Sequence, residues 1–198
     1  MKRNTEELKE KLIQTGIEEI KEHGIDNLSL RTVAKSCGVT HGSPYRHFES
    51  KENYLKVVLK QLSEFLNEEL KSDLNFNVPA REQLVQMGFN LISFAKKYPY
   101  YFEALFIKFP FKYMKITKET ISPLSDFPGF SDFKRIVTML RREENFNNSE
   151  VESLLHFWSF ISGLAVIANS PLGYELDDNA VLSTIKNLLD IYIRGEKL

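Results

Sequence analysis

The sequence predicts an all-α protein of about nine helices. In each long segment the apolar residues recur three or four positions apart, which is the period of an amphipathic helix rather than of a strand. Gly, Pro, Asn and Ser are concentrated between these segments, where they end helices and form loops. A chain of 198 residues, 42% of them hydrophobic, is long enough to bury a core in one or two domains.

Four helices are predicted in the N-terminal third of the chain. The first carries apolar residues at helical spacing from about residue 8, and Gly24 ends it. Two short helices follow: one begins at the cap Ser29 and precedes the turn at Gly38, and the other covers about 40–47. Ser50 then caps a long fourth helix, whose broad apolar stripe continues to about residue 70.

Five further helices are predicted after a loop at 71–80 that is rich in Asn, Asp and Pro. Residues 115–131 hold two prolines and a glycine, so they are expected to form a long irregular connection. Pro171 and Gly173 are expected to break the chain before the last helix. The predicted helices cover 80–98, 99–109, 131–144, 150–169 (which is apolar nearly all round) and a segment that opens at Asp177.

Residues 29–51 have the pattern of a helix-turn-helix. Ser29 is a good N-cap for the first short helix, and Gly38 can adopt the positive φ that a tight turn requires. Thr40 is expected to cap the second short helix. Pro44 lacks an N–H group, so this second helix should be short and 3₁₀-like at its start. In such a motif the second helix enters the major groove of DNA.

The charge distribution agrees with a DNA-binding role for this segment. No acidic residue lies between Asn27 and Phe48, whereas Arg31, Lys35 and Arg46 are present. A polyanion can approach such a surface without meeting a like charge. Because the net charge of the whole chain is −1, any DNA-binding face must be local.

The same segment resembles the N-terminal signature of the tetracycline-repressor (TetR) family of bacterial regulators. The resemblance rests on Ala34, the turn Gly38-Val39-Thr40, the step Tyr45-Arg46-His47-Phe48, and Lys51-Glu52 at the start of the next helix. Further along, REQLVQMGFNLISFAKKYPYYFEALF is similar to a helix pair of the family's regulatory domain. HFWSFISGLAVI resembles the Trp-x-x-x-His-Gly-Leu helix of one subgroup, with Ser162 where that subgroup has His.

The resemblance implies a set of DNA-contacting residues. Tyr45, His47 and Lys51 fall on phosphate-contacting positions, and Thr40 can donate its hydroxyl at the start of the recognition helix. Base reading is then expected from His41, Ser43 and Arg46, while Gly42 would let the backbone approach the base edges. The alternative is that Tyr45 and Phe48 are core aromatics, and for Phe48 we prefer the core.

A second site is predicted from the density of aromatic residues. Nine aromatic side chains lie between Phe94 and Tyr113, Phe111 among them. In a helical regulatory domain they can line a pocket for an apolar or aromatic effector, and they can equally be solid core. The candidate ligand-binding residues are Phe94, Tyr98, Phe102, Phe106, His156 and Trp158.

Catalysis is not predicted. The sequence contains no His-Glu-x-x-His, no Cys-x-x-Cys and no glycine-rich phosphate loop, so we expect no enzyme, no cofactor and no metal. The single Cys37 excludes an internal disulfide; it is expected to be a small buried residue at a helix end, with a redox sensor as the alternative. No signal peptide and no apolar run of membrane-spanning length is visible, which favours a cytoplasmic protein with no membrane partner.

These observations predict a homodimeric, DNA-binding transcriptional regulator. Residues 1–50 would form the helix-turn-helix domain and 51–198 the regulatory, ligand-binding and dimerisation domain. Its partners would be double-stranded DNA carrying a palindromic operator and a small apolar or aromatic effector that releases a repressor. The alternatives are a regulator or activator without a ligand, and, from another class, an all-α enzyme or lipid-binding module.

Overall fold

The computed structural model describes residues 2–109, 114–123, 129–170 and 176–196, and the prediction of an all-α fold is confirmed. A 3₁₀ turn at Ile25–Asn27 follows the first helix, and a π-helical segment at Glu103–Lys108 continues the sixth. Within these ranges the helices are α1 Lys2–His23, α2 Leu30–Ser36, α3 Ser43–Phe48, α4 Lys51–Lys71, α5 Ala80–Lys97, α6 Pro99–Phe102, α7 Gly129–Glu144, α8 Glu150–Ala168 and α9 Asp178–Gly195.

The described residues pack as two compact units. The first unit draws on Met1–Ser63 and Tyr100–Pro110, and the second on Glu64–Pro99 and Phe111–Leu198. Helix α4 is continuous and contributes residues to both units.

The core of the first unit is built on α1. Its buried side chains come from α1, α2, the end of α3, the first half of α4 and α6. The residues that are least exposed are Leu12, Ile20, Val33, Ala34, Tyr54, Val58, Leu59, Leu62 and Ala104. Because these are mostly aliphatic side chains at helical spacing, burial of this stripe is the main stabilising contribution.

Helix α5 is central to the second unit and packs against α7, α8 and α9. Gly88 permits the approach of α8 and α9, because a methyl group there would lie 3.0 Å from Ile161 Cδ1 and 3.5 Å from Ile185 Cδ1. Polar contacts link both ends of α5 to α9 or to the residues just before it: Arg81 Nη2 donates to Asp190 Oδ1 at 2.6 Å, and Lys96 Nζ donates to the carbonyl of Leu176, which precedes α9, at 2.7 Å. The two helices therefore run antiparallel.

The connection predicted at 115–131 is not wholly irregular. Strands β1 Met114–Ile116 and β2 Ile121–Pro123 form an antiparallel hairpin in which Ile116 lies opposite Ile121. Thr117 closes its turn, because its Oγ1 accepts from the amides of Glu119 and Thr120 at 3.2 and 3.1 Å. Strands of three residues are too short to show an alternation that sequence inspection can detect.

Other sequence predictions can be checked directly. The predicted breaks at Gly24, 71–80 and Pro99 are confirmed, while Phe111, Tyr113, Pro171 and Gly173 lie outside the described residues. The expectation of no run with membrane-spanning length and composition is wrong for α8. This helix has 19 residues and a window of mean hydropathy 1.5, of which 33% is buried.

Candidate nucleic-acid interface

Local hydrogen bonds define both ends of α2, including the turn that leads to α3. Ser29 Oγ accepts from the Arg31 amide at 3.3 Å, which confirms the predicted N-cap. At the other end Gly38 has φ +73°, its amide donates to the Lys35 carbonyl, and the Val39 amide donates to the Ala34 carbonyl, both at 3.0 Å. This pair of bonds is the Schellman motif, which satisfies the last carbonyls of α2 and turns the chain toward α3.

Helix α3 begins later than predicted. Thr40 is not its N-cap: the helix starts at Ser43, and Gly42 precedes it without a side-chain cap. Pro44 falls in the first turn, where its missing N–H would have no intrahelical acceptor, so the later start accommodates the proline. The Ser43 amide donates to the Thr40 carbonyl at 2.9 Å, which confirms the expected 3₁₀-like turn.

Cys37 attaches the end of α2 to α1. It is 7% exposed, its Sγ lies 3.2 Å from Thr15 Oγ1, and its carbonyl accepts from Lys11 Nζ at 3.4 Å. The expectation of a small buried residue at a helix end is therefore confirmed.

Tyr54 attaches the first turn of α4 to α1, and sequence reasoning missed it. The side chain is fully buried, its hydroxyl donates to the Leu12 carbonyl at 2.7 Å, and its ring meets Phe48 edge-to-face at 5.0 Å. Burial raises the pKa of Tyr54 well above its usual value, so the hydroxyl remains a donor. Gly16 provides the space, because a Cβ there would lie 1.9 Å from the Tyr54 oxygen. An isolated glycine inside a helical pattern was the available signal.

The predicted DNA-contacting residues lie along α3 and its flanking turns, and most are exposed. Phe48 is 4% exposed, which confirms it as a core aromatic, whereas Tyr45 is 49% exposed. Gly42, Ser43 and His47 are half-buried, and the exposed members are Thr40, His41, Tyr45, Arg46 and Lys51.

Cations dominate the exposed surface of this segment. Arg31 and Lys35 on α2, Arg46 on α3 and Lys51 at the first position of α4 are all exposed. None of these four forms an ion pair with another residue that the structure describes. Their charge is available to a polyanion. The Ser50 hydroxyl accepts from the Asn53 amide at 3.1 Å, which confirms the predicted cap and leaves Lys51 on an ordered first turn.

The six predicted ligand-binding residues are distributed over both units. Phe94 and Tyr98 belong to the second unit, where both pack on Phe65 of α4 at ring distances of 6.0 and 5.1 Å. Phe102 and Phe106 belong to the first unit and stack on each other at 4.8 Å. Sequence reasoning missed Phe65 as a candidate ligand-binding residue, because its helical spacing placed it in the apolar stripe of α4.

The two candidates on α8 point to different surroundings within the second unit. Trp158 lies 6.1 Å from Phe133, ring to ring. His156 is exposed, and its Nδ1 lies 2.9 Å from the Tyr192 hydroxyl. One turn further along α8, the buried Oγ of Ser162 has no hydrogen-bond partner among the described residues.

The described ranges contain a depression that is open to solvent, but no cluster of metal-binding side chains. An open depression of about 460 Å³ lies along β2 and α7 and contains none of the predicted ligand residues; its lining includes Ile121, Phe130, Lys134, Arg135, Met139 and Arg142. No group of three or more His, Cys, Asp or Glu side chains in the described part of the chain is placed to hold a metal ion.

Comparison with solved structures shows that this fold extends over the whole chain. A TetR-like transcriptional regulator from Rhodococcus sp. RHA1 is 14% identical, with 95% of this chain and 96% of that chain covered and a TM-score of 0.62. A TetR family protein from Vibrio parahaemolyticus is 20% identical over 92% and 97%, with a TM-score of 0.66. RolR, solved in complex with the ligand resorcinol, is 14% identical over 95% and 90%, with a TM-score of 0.62.

Sequence comparison identifies the family through the helix-turn-helix itself. No curated protein sequence matches the chain. Residues 12–57, which span most of α1, the α2-turn-α3 motif and the start of α4, match the family model described as bacterial regulatory proteins, tetR family. The N-terminal part of the chain therefore carries the helix-turn-helix domain of the tetR family.

Proposed function

We propose that the chain is a homodimeric repressor that binds a palindromic operator and is released by a small apolar or aromatic effector. Residues 1–50 would read DNA and 51–198 would regulate. One observation carries the DNA-binding part. Exposed cations with no ion pair among the described residues, together with hydrogen-bonding side chains, lie along α2, α3 and the first turn of α4. The ends of α2 and α3 and the start of α4 are held by Cys37, Phe48 and Tyr54.

Phosphate contacts come from Tyr45, His47 and Lys51 in this proposal. The Tyr45 hydroxyl is exposed, and His47 is half-buried on the same short helix. Lys51 is the first residue of a 21-residue helix, so its ammonium group adds to the free N–H groups and the positive dipole end there. Thr40 adds a hydroxyl before the recognition helix.

Base contacts come from His41, Ser43 and Arg46. Arginine is the most selective of the three, because its guanidinium can donate two hydrogen bonds to a guanine edge. Gly42 has no Cβ neighbour within 4 Å, so its backbone can approach a base edge closely. Phosphate contacts set the position of the protein and base contacts select the sequence.

The experiment that tests this division compares Lys51→Ala with Arg46→Ala and Ser43→Ala on a duplex selected from random DNA. Lys51→Ala should weaken binding on all sequences and lower the salt slope by roughly one phosphate equivalent. Arg46→Ala and Ser43→Ala should change the preference among sites. Lys56→Ala, an exposed lysine further along α4, is the matched control and should change neither. Wild-type binding by all three test variants would refute the assignment of this surface.

The exposed face of α8 supports the homodimer. Ser159, Gly163, Val166 and Ile167 are exposed at helical spacing, and Ile191 of α9 is 64% exposed. A Cβ at Gly163 would meet nothing within 4 Å, so nothing in the described part of the chain requires this glycine, although it costs helix stability. A second copy packed closely on α8 accounts for both features.

From the sequence, the small residues Ser159, Ser162, Gly163 and Ala165 of the 150–169 helix are expected to allow a partner helix to approach closely, and two of the four need correction. Ala165 is fully buried and the Ser162 hydroxyl is buried, so these two small residues do not lie on the exposed stripe. Ser159 and Gly163 remain. A two-fold dimer of α8 and α9 would form a four-helix interface, and its symmetry would require a palindromic operator. Sedimentation as a stable monomer at micromolar concentration would refute the dimer.

Effector release would act through α4. Phe65, in the second half of α4, contacts Phe94 and Tyr98, so a ligand inserted among these rings would displace α4 directly. The same helix begins at Lys51. The unpartnered Ser162 hydroxyl and the aromatic rings suit an effector with an aromatic body and a polar group, and the RolR structure holds such a molecule, resorcinol.

Thermodynamic linkage makes the release testable. An effector that weakens operator binding must itself be bound more weakly by the operator complex, by the same factor, and a coupling of about 1–3 kcal/mol is enough for regulation. A panel of small phenols and aromatic acids would be titrated with and without operator DNA. A tight ligand with one dissociation constant in both titrations would instead favour a regulator or activator that no ligand controls.

A further inference from the structure

We propose that Tyr54 is a positioning residue for DNA binding, which holds Lys51 and the recognition helix in place through one hydroxyl and one ring. The inference rests on the proposed role of Lys51 as a phosphate contact. Tyr54 itself is fully buried, so it does not touch DNA.

The hydroxyl fixes the first turn of α4. Tyr54 lies three residues after Lys51, one helical turn along α4, and its Oη donates to the Leu12 carbonyl of α1 at 2.7 Å. That carbonyl is within a long helix, whose backbone is already ordered. The bond therefore holds the start of α4 against a helix, α1, rather than against a loop.

The ring fixes the end of the recognition helix. Phe48 is the last residue of α3, and its ring meets the Tyr54 ring edge-to-face, with centroids 5.0 Å apart and an interplanar angle of 74°. Such aromatic pairs have a preferred geometry. A shift of Tyr54 would consequently change the position of α3 and of Lys51 together.

Gly16 shows that this arrangement is specific rather than a general consequence of core packing. The Tyr54 oxygen occupies the volume that any larger residue at position 16 would need for its Cβ, with a separation of only 1.9 Å. Helix α1 thus contains a glycine, which lowers its helix propensity, at the position where the Tyr54 hydroxyl approaches its backbone. The pair Gly16–Tyr54 forms a socket for the start of α4.

Tyr101 offers a matched control. It is 5% exposed, and its hydroxyl also donates to an α1 carbonyl, that of Ile17, at 3.2 Å. It lies on α6, which carries none of the proposed DNA-contacting residues. Tyr101→Phe therefore removes a hydroxyl that donates to the same helix, α1, from an element that carries none of the proposed DNA-contacting residues.

The test measures DNA binding by fluorescence anisotropy on a mixed-sequence duplex over a range of salt concentrations. Tyr54→Phe should weaken binding about three- to tenfold and lower the salt slope, whereas Tyr101→Phe should leave both unchanged. In the Lys51→Ala background Tyr54→Phe should have a smaller effect on affinity, because the cation it positions is gone. Circular dichroism and urea unfolding would be measured on every variant.

Each outcome decides the question. Additive effects of Tyr54→Phe and Lys51→Ala, or equal DNA binding by Tyr54→Phe and Tyr101→Phe, would overturn the positioning role while leaving the interface assignment intact. A Lys51→Ala variant with the wild-type affinity and salt slope would overturn the interface assignment, and the positioning role with it. Loss of folding in Tyr54→Phe alone would also count against it, because a purely structural bond would explain that result.

Discussion

The two units hold their helices together in different ways. In the first unit, side chains donate to backbone carbonyls of neighbouring elements: the buried Tyr54 to Leu12, the buried Tyr101 to Ile17 and the exposed Lys11 to Cys37. In the second unit, α5 packs against α7, α8 and α9 by apolar faces, and its side chains Gln83, Asn90 and Lys96 donate mainly to carbonyls in loops or at a helix end. Directional bonds define one position, whereas apolar faces tolerate small shifts.

A second difference lies in what each unit leaves exposed. The first unit presents unpaired cations on α2, α3 and the start of α4, while the second presents apolar and small residues on α8 and α9. This contrast agrees with the proposed function, in which the first unit binds DNA and the second unit forms the dimer and binds the effector.

The most severe test of this contrast is Gly163→Arg. The variant places a charged side chain in the middle of the exposed α8 stripe, where the monomer has open space. We expect a normally folded monomer and a dimer weakened by a hundredfold or more, because an unpaired charge buried in an interface costs about 3–5 kcal/mol. Sedimentation velocity measures the change.

The control for that variant is Glu82→Arg, which puts the same side chain at an exposed position of α5. It should leave the dimer unchanged. An intact dimer in Gly163→Arg would place the interface elsewhere and would remove the distinction between the exposed faces of the two units.

The next largest effect is expected from Gly16→Ala. The new methyl group would overlap the Tyr54 oxygen, which is held by its bond to Leu12, so either the bond or the helix position must change. We expect a loss of about 1–3 kcal/mol in the free energy of unfolding, as for other overpacked cores. Urea unfolding followed by circular dichroism measures it.

Gly88→Ala in the second unit is the direct comparison. Its methyl group would meet the tip of Ile161 at 3.0 Å, and a terminal methyl can move by rotation. The gain in helix propensity should offset most of the strain, so we expect a change of less than about 1 kcal/mol. Equal losses in the two variants would contradict the idea that the first unit is the more rigidly defined.

The sequence predicted the parts of this fold that local rules determine. Ser29, Gly38 and Ser50 have roles that depend only on a few neighbouring residues, and the structure confirms each of them. The N-cap prediction for Thr40 was wrong because proline is best accommodated in the first turn of a helix. Pro44 therefore moves the start of α3 to Ser43, although threonine is a preferred N-cap residue.

The parts that depend on distant contacts could not be predicted in the same way. Tyr54 and Gly16 are 38 positions apart, so neither residue reveals the other without the packing of α4 on α1. The aromatic residues between Phe94 and Phe106 were grouped because they are close in sequence, yet they divide between the two units. Density in sequence does not determine which face a helix turns toward a neighbour.

A smaller effect is expected from Ser149→Ala, which removes the cap of α8. The Ser149 hydroxyl accepts from the Glu152 amide at 3.2 Å, and a Glu152 carboxylate oxygen accepts from the Ser149 amide at 2.7 Å, which completes a capping box. Loss of such a cap costs about 1 kcal/mol. Ser29→Ala removes a single longer bond, 3.3 Å, and should cost less in the same urea titration. The reverse order would argue that the first unit depends on its caps rather than on its core anchors.

The smallest predicted effect concerns Glu150, which links α8 to α7. Burial opposes ionisation of this carboxyl, but hydrogen bonds from Thr138 at 2.6 Å and from Lys134, whose Nζ lies 3.1 Å away, outweigh it and hold its pKa below the usual value. A carboxylate with a lowered pKa contributes stability above its unfolded-state pKa and loses that contribution as the pH falls through the folded-state value. The free energy of unfolding of Glu150→Gln should therefore be lower than that of the wild type at pH 7, by a few tenths of a kcal/mol, and the two values should converge toward about pH 4.

Glu82→Gln, which changes an exposed glutamate on α5, should show no such convergence in parallel urea titrations. A difference between Glu150→Gln and the wild type that stays constant with pH would mean that the shape of the side chain, and not its charge, joins α7 to α8.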